Sequence, residues 1–153
     1  MNITAVPSEN PEDDTELALK RVPVSENDSP NQNPDVTDIT VEGKGFLGGS
    51  GTADDPYILK AGAEVRLLPE LADDAIEEYT YVTTTGEVEA RTEEPYWSWY
   101  TDGGEFAQNI SLPPYNYATY TAPDKSDWTG IIAVVMRDRR GGMGWSQVQV
   151  AVE

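Results

Sequence analysis

The chain has 153 residues, enough for one domain with a tail, and carries 10 Lys and Arg against 28 Asp and Glu, a net charge of −18. This charge repels nucleic-acid phosphates and anionic membrane surfaces, so the composition argues against both as partners. His and Cys are both absent, which excludes disulfides, thiol and imidazole catalysis and the usual zinc sites.

Residues 1–33 have the composition of a solvated acidic linker, rich in Pro, Asn and Ser. The 2 Phe, 8 Tyr and 4 Trp all lie at Phe46 or later, so the core must lie downstream. Residues 17–24 alternate apolar and polar positions, and Pro23 restricts such a strand to an edge or a bulge. The segment is an edge strand of this domain, the last strand of a preceding one, or an extended linker. The folded domain is predicted to span 34–153.

Short strands dominate the first half of this domain. Val and Ile alternate with polar residues from Val36, which predicts the first strand, and two more short strands are predicted at 57–59 and within 63–71. The segment 69–78 is the one helical candidate, of two or three turns at most. The Thr85-Gly86 dipeptide predicts the turn of a hairpin.

The second half carries the strongest strand patterns. The segment 96–100 (YWSWY) places Trp97 and Trp99 on one face, and core packing is the favoured interpretation for both. The continuous apolar run GIIAVVMRD, 130–138, is typical of a central strand buried on both faces. A last strand alternates Val with polar residues up to Val152. About seven to nine short strands without a helical period predict an all-β, antiparallel, immunoglobulin-like β-sandwich with an extended N-terminal tail.

Three motifs in this order carry a family resemblance: YWSWYTDGGEF, ATYTAPD and IIAVVMRDRRGGMGWSQVQVAVE. Together with NQNPDVTDITVEG and GSGTADDPYIL they resemble the immunoglobulin-like and PKD-like modules of bacterial cell-surface proteins. They are most similar to cell-envelope lipoproteins of myxobacteria-like proteobacteria. The resemblance covers about residues 31–153. It implies a tryptophan strand across the core, a final hairpin turn at Arg-Asp-Arg-Arg-Gly-Gly, and a cell-envelope or extracellular location.

The N-terminus lacks the basic start and apolar stretch of a signal peptide, and no Cys is present for lipid attachment. These residues fit either a cytosolic protein or a mature or truncated form of an exported one; the resemblance implies the latter, with the export region, or a preceding domain, outside this sequence. No apolar run reaches the ~18 residues that span a bilayer, so direct membrane insertion is not expected.

Acidic residues cluster in two loops that could meet at one end of a sandwich and bind Ca²⁺ through hard oxygen ligands. The predicted ligands are Asp54, Asp55, Asp73 and Asp74. Neither loop has the spacing of an EF-hand, and solvated surface charge is the favoured alternative. No other cofactor is expected.

Two further features are candidate functional sites. Aromatic side chains could form a stacking platform for a sugar or a polyproline ligand; the candidates are Trp97, Trp99, Tyr100, Tyr115, Tyr117, Tyr120, Trp128 and Trp145. Among them Trp128 and Trp145 are flanked by polar residues and glycines, which makes them candidate ligand-binding residues for a cell-surface glycan or a protein; core packing is the alternative. Asp138, between two arginines beside a Gly-Gly turn, is expected to bond turn amides while the arginines pair with acidic residues.

The sequence favours a non-catalytic module that serves as a structural spacer or a protein-binding domain. Paired carboxylates are numerous, but none lies in a recognisable catalytic motif, so enzyme activity is not expected. The alternative is a Ca²⁺-dependent adhesion domain or a carbohydrate-binding domain. The oligomeric state and the identity of the ligand stay open.

Overall fold

The computed structural model describes residues 2–5, 16–19, 30–42 and 46–153. The chain divides into two compact units, Met1–Pro30 and Asn31–Glu153, so the division lies three residues before the predicted boundary. In the first unit, β1 (Asn2–Ala5) pairs antiparallel with β2 (Glu16–Leu19). β2 overlaps the strand predicted at 17–24, of which residues 20–24 lie outside the described residues. The described residues contain no helix that is long and apolar enough to cross a membrane.

The second unit is all β, and its strands are the following. They are β3 (Val36–Val41), β4 (Tyr57–Leu59), β5 (Glu64–Leu71), β6 (Glu78–Val82), β7 (Val88–Thr92), β8 (Tyr96–Thr101), β9 (Glu105–Phe106), β10 (Ile110–Ser111), β11 (Ala118–Thr121), β12 (Thr129–Arg137) and β13 (Met143–Val152). One sheet has the order β10-β8-β12-β13-β4, and another has the order β3-β5-β11-β9. All pairs are antiparallel except β4 with β13, which is parallel.

The predicted all-β, mainly antiparallel architecture is confirmed, and the helical candidate at 69–78 is wrong. β5 continues through Pro69 to Leu71, because the pairing with β11 ends at Leu67 and Pro69 pairs with β3 alone, so its missing N–H costs no more than one bond of the ladder. The predicted hairpin around Thr85-Gly86 is confirmed as the β6–β7 ribbon, which belongs to neither large sheet. Gly86 has a φ of 86°, a conformation that suits glycine in such a turn.

A single apolar core lies between the two large sheets, which makes the unit a β-sandwich. Trp97 and Trp99 of β8 are buried in it, as predicted, and the Trp99 indole Nε1 donates to Ser111 Oγ at 3.0 Å. The fully buried side chains that join them come from both sheets. They are Ile39, Leu59, Leu67, Tyr120, Ile132, Val134, Met136 and Val150.

β12 departs from its prediction in one respect. It is central in its sheet, between β8 and β13, as expected. However, only alternate residues such as Ile132 and Val134 are buried, and Ile131 and Val135 on the other side are partly exposed. The prediction that this strand is buried on both faces is therefore wrong for the described residues, since no described element covers its outer side.

Tyr120 adds a pH dependence to this core. Its hydroxyl donates to the Gly103 carbonyl at 2.7 Å. Burial raises the pKa of Tyr120, the hydrogen bond to Thr101 opposes this, and the charge of Asp102 adds to it. Because the pKa of Tyr120 is higher in the folded state than in the unfolded state, the neutral hydroxyl stabilises the fold fully below about pH 10. This stabilisation is lost as the pH rises through the folded-state pKa.

We expect Tyr120→Phe to cost about 1 kcal/mol near pH 8, through the lost hydrogen bond. The difference in unfolding free energy between wild type and variant should narrow above about pH 10, where the unfolded wild-type tyrosine ionises. Urea unfolding at pH 8 and at higher pH measures both values. Tyr81→Phe, on the exposed ribbon, is the control and should show neither effect. A difference that does not change with pH would contradict the prediction.

Candidate functional site

The outer face of the five-stranded sheet is the side that points away from the core. Because side chains alternate along a strand, its members follow directly from the burial pattern and the register. They are Ile58, Tyr96, Ser98, Tyr100, Ile110, Thr129, Ile131, Ala133, Val135, Arg137, Met143, Trp145, Gln147, Gln149 and Ala151. Arg137 is the one charged residue in this set. A chain with 28 acidic residues thus presents a sheet face without a carboxylate.

The most exposed apolar side chains of this face lie in neighbouring cross-strand rows. Ile110 is opposite Ser98, Ser98 opposite Val135, and Val135 opposite Trp145, so these four residues form one row across four strands. Tyr100 lies in the adjacent row. Trp145 is 60% exposed, and Tyr100 and Ile110 are each 51% exposed. The face therefore offers a flat, largely apolar surface with two accessible aromatic rings.

Arg137 is held on this face by neutral groups. Its Nη1 donates to Ser98 Oγ at 3.1 Å, and its guanidinium lies 5.7 Å from the centre of the Tyr96 ring. Arg139, in the turn that follows, lies 5.9 Å from the same ring. An arginine positioned by a hydroxyl and an aromatic ring keeps donors available for a partner's oxygen atoms.

The outer face of the four-stranded sheet has the opposite character. Asp38, Glu64, Glu70 and Glu105 point outward there, and Arg66 pairs with Glu42 at 2.7 Å. The two outer faces of one sandwich thus differ in charge. The overall acidity of the chain would place carboxylates on both outer faces. The outer face of the four-stranded sheet carries them, and the outer face of the five-stranded sheet does not.

The β12–β13 turn positions one end of the outer face. Asp138, 1% exposed, accepts hydrogen bonds from the backbone N–H groups of Arg140, Gly141 and Gly142 at 2.7 to 3.0 Å. Its Oδ2 also accepts from Asn31 Nδ2 at 2.6 Å. The predicted role of Asp138 in bonding turn amides is confirmed, and these bonds set where β13 begins.

Of the two arginines that flank Asp138, Arg139 pairs with an acidic residue as expected, whereas the expectation is wrong for Arg137, which contacts Ser98 and Tyr96. Arg140 Nη1 lies 2.8 Å from Glu93 Oε1 and 3.4 Å from Glu77 Oε2, whereas Arg139 lies 3.9 Å from Glu94. The Glu93 side chain is only 1% exposed, and its Oε2 accepts from the Glu77 N–H at 3.0 Å. The Arg140 guanidinium also lies 4.1 Å from the centre of the Tyr79 ring. This buried network joins the β6–β7 ribbon to the turn.

The residues predicted to bind Ca²⁺ are not brought together. The loop of Asp54 and Asp55 is attached near one end of β13, where Gln149 N–H donates to Gly51 O. The loop of Asp73 and Asp74 lies near Asn33, whose Oδ1 accepts a hydrogen bond from Met143 N–H. Met143 and Gln149 are six residues apart along β13, which is a distance of about 20 Å. Within the described residues no group of three or more Asp, Glu, His or Cys could hold a metal ion. The first loop carries Asp54 and Asp55, and the second Asp73 and Asp74.

The two tryptophans predicted to bind a ligand have different surroundings. Trp145 is on the outer face. Trp128 packs against the core, and its indole ring lies so close to Gly103 and Gly130 that a Cβ at either glycine would come within 2.5 Å of the ring atom Cζ2. Trp128 thus supports the core, and Trp145 is the accessible ring.

Ile110 and Met143 are members of the outer face that sequence reasoning missed. A signal existed in β12, where apolar residues occupy both faces although only one face is buried. No protein-family model, curated protein or solved structure matches the chain. Function is therefore inferred from the residues of this face and from the sequence motifs.

Proposed function

We propose that the domain is a non-catalytic, protein-binding module of a bacterial cell envelope or surface, and that its outer face docks the partner. One observation carries the proposal: the outer face lacks carboxylates in a chain that has 28, while it exposes Tyr100, Ile110, Met143 and Trp145. The family resemblance of the sequence motifs supports the location in the envelope.

The composition of the outer face is that of an interface centre. Protein–protein interfaces are depleted of Asp, Glu and Lys at the centre and enriched in Tyr, Trp, Met and Arg. Five strands spaced about 4.8 Å and strands of up to about 30 Å give a face of about 20 by 30 Å, similar in size to one side of a standard interface. Trp145, the third residue of β13, is the expected anchor residue because it is the most exposed aromatic ring of the outer face and lies in the row that crosses four strands.

The charge of the remaining surface restricts the partner. With a net charge of −18, the chain attracts a protein whose contact patch is apolar and whose rim is basic. Such rim charges act mainly on the association rate and are screened by salt. We therefore expect association to slow as ionic strength rises, with a smaller change in the dissociation rate.

Site-specific photo-crosslinking in cells of the source organism tests the location of the docking face. A photoreactive residue in place of Gln147 probes the outer face, and one in place of Glu70 probes the opposite acidic face. We expect one protein to crosslink from position 147 and not from position 70. Equal crosslinking from both positions, or crosslinking from position 70 alone, would contradict the proposal.

The crosslinked partner, once purified, permits a direct measurement of affinity. Trp145→Ala should raise the dissociation constant by about tenfold or more, the effect expected for an aromatic anchor residue. Val88→Ala, which removes an equally exposed apolar side chain from the β6–β7 ribbon, is the matched control and should leave the affinity unchanged. An unchanged dissociation constant for Trp145→Ala would exclude the outer face.

A glycan is the second candidate partner, favoured by the two exposed rings of Tyr100 and Trp145 on one flat face. Tryptophan fluorescence across a glycan panel, with and without millimolar Ca²⁺, tests it. A saturable signal that Trp145→Ala abolishes would assign the face to a carbohydrate instead of a protein. A signal that requires Ca²⁺ would in addition support the predicted adhesion role.

A further inference from the structure

A groove of about 480 Å³ lies at the edge of the sandwich where β9 leads to β10 and β10 leads to β11. One continuous stretch of chain, between residues 107 and 119, supplies all of its lining. The lining residues are Ala107, Gln108, Ile110, Ser111, Leu112, Pro113, Pro114, Tyr115, Tyr117, Ala118 and Thr119. None of them is charged, although a quarter of the chain is Asp, Glu, Lys or Arg. The volume lies within the range of ligand-binding pockets.

Two tyrosines form an ordered wall of the groove. The rings of Tyr115 and Tyr117 meet edge to face, with centres 5.9 Å apart and planes at 79°. The guanidinium of Arg66, on the outer side of β5, lies 4.2 Å from the centre of the Tyr117 ring and supports that ring. Tyr115 itself is 63% exposed. The wall thus has one supported ring and one ring that is accessible to a ligand.

The adjoining wall is a proline turn. Tyr115 N–H donates to Leu112 O at 2.8 Å and closes a four-residue turn that contains Pro113 and Pro114. Both prolines have a fixed φ, so this wall has little backbone freedom to lose on binding. Leu112 and Ile110, both about half exposed, complete an apolar rim. An aromatic and proline groove of this kind favours a ligand with regularly spaced apolar faces.

We propose that this groove binds an extended, proline-rich peptide segment with basic flanks. A proline-rich chain adopts the polyproline II conformation before it binds, so it loses little entropy, and aromatic-lined grooves are the usual sites that accept it. Its backbone carbonyls have no internal partners and can accept hydrogen bonds from the hydroxyls of Tyr115 and Tyr117 and from the side-chain amide of Gln108.

Charge selects the flanks of the peptide. The groove is neutral, so proline itself meets no repulsion, whereas the net charge of −18 around it attracts Lys or Arg on either side and repels Asp or Glu. This site is separate from the docking face proposed above. Ile110 is the one residue that the two share, so it is left unchanged in every test below.

A synthetic peptide of about eight prolines flanked by arginine pairs is the probe, measured against the full chain by calorimetry and by NMR shift mapping. The control peptide keeps the arginines and replaces the prolines by glycine and serine. We expect saturable binding of the proline peptide alone, with the largest shifts at Gln108, Tyr115 and Tyr117. Equal binding of both peptides would show a charge effect only and would overturn the proposal, as would no binding at about 1 mM peptide.

Tyr115→Ala should raise the dissociation constant of the proline peptide by about tenfold or more. Tyr115→Phe keeps the aromatic ring and should retain most of the affinity. Tyr81→Ala, an exposed tyrosine on the β6–β7 ribbon, and Trp145→Ala on the outer face should both bind like wild type. An effect of Trp145→Ala equal to that of Tyr115→Ala would place the peptide on the outer face and overturn the proposal. Tyr115 is largely exposed, so unchanged melting of its variants shows that they fold.

Discussion

Asp138→Ala is expected to lower the free energy of unfolding by about 3 kcal/mol, since it leaves several buried donors without an acceptor. Three turn amides, those of Arg140, Gly141 and Gly142, bond to this one carboxylate, together with the Asn31 side chain. Burial of the side chain keeps water from replacing these bonds. Urea unfolding followed by tryptophan fluorescence measures the change.

Asp138→Asn is the matched control for this prediction. Asparagine keeps one oxygen for the turn amides, and its Nδ2 can donate to Asn31 Oδ1 once the Asn31 amide turns over, since that oxygen has no hydrogen-bond partner among the described residues of the wild type. We expect a loss smaller than that of Asp138→Ala, at about 1 to 2 kcal/mol. If both variants unfolded like wild type, the turn would not depend on Asp138.

The local features of the fold were predictable from the sequence. Alternation identified the strand at Val36, Thr85-Gly86 identified the hairpin turn, and the spacing of Trp97 and Trp99 identified their shared core face. Each of these depends on residues that are close in sequence. Asp138 belongs to the same group, because its partners in the turn are two to four residues away.

Long-range pairings were beyond sequence reasoning. The bond between Arg140 and Glu93 joins residues 47 positions apart, and the parallel pairing of β4 with β13 places Tyr57 opposite Val150 near the end of the domain. The side of β12 that stays uncovered depends on which elements reach it, and strand patterns do not report that. Ile131 and Val135 thus looked like core residues in the sequence, and the structure places them on the outer face.

This difference also carries the functional argument. An apolar run that is continuous over β12 is typical of a strand buried on both sides, and only one side is buried in the described residues. The uncovered side continues into exposed aromatic residues on β8 and β13 and avoids carboxylates. A partner that covers it would complete the burial that the sequence pattern indicates.

The second large effect is expected for Arg140→Met, at about 3 kcal/mol, because it leaves the Glu93 carboxylate buried without its cation. The Glu93 side chain is 1% exposed and lies 2.8 Å from Arg140 Nη1. Methionine fills similar volume beside Tyr79, so loss of packing contributes little to the change. Arg91→Met, which breaks the exposed pair with Glu89, is the control and should change stability little.

A double-mutant cycle separates the charge from other effects of Arg140→Met. Glu93→Gln removes the buried charge yet keeps an oxygen that can accept from the Glu77 N–H. If the stranded carboxylate causes the loss, the double variant is more stable than Arg140→Met alone, and the coupling between the two sites is about 1 to 2 kcal/mol. Additive losses would mean that Arg140 acts through its contact with Tyr79 instead.

Because the network joins the β6–β7 ribbon to the turn that starts β13, hydrogen exchange in Arg140→Met should also increase in the ribbon while the amides of β12 stay protected.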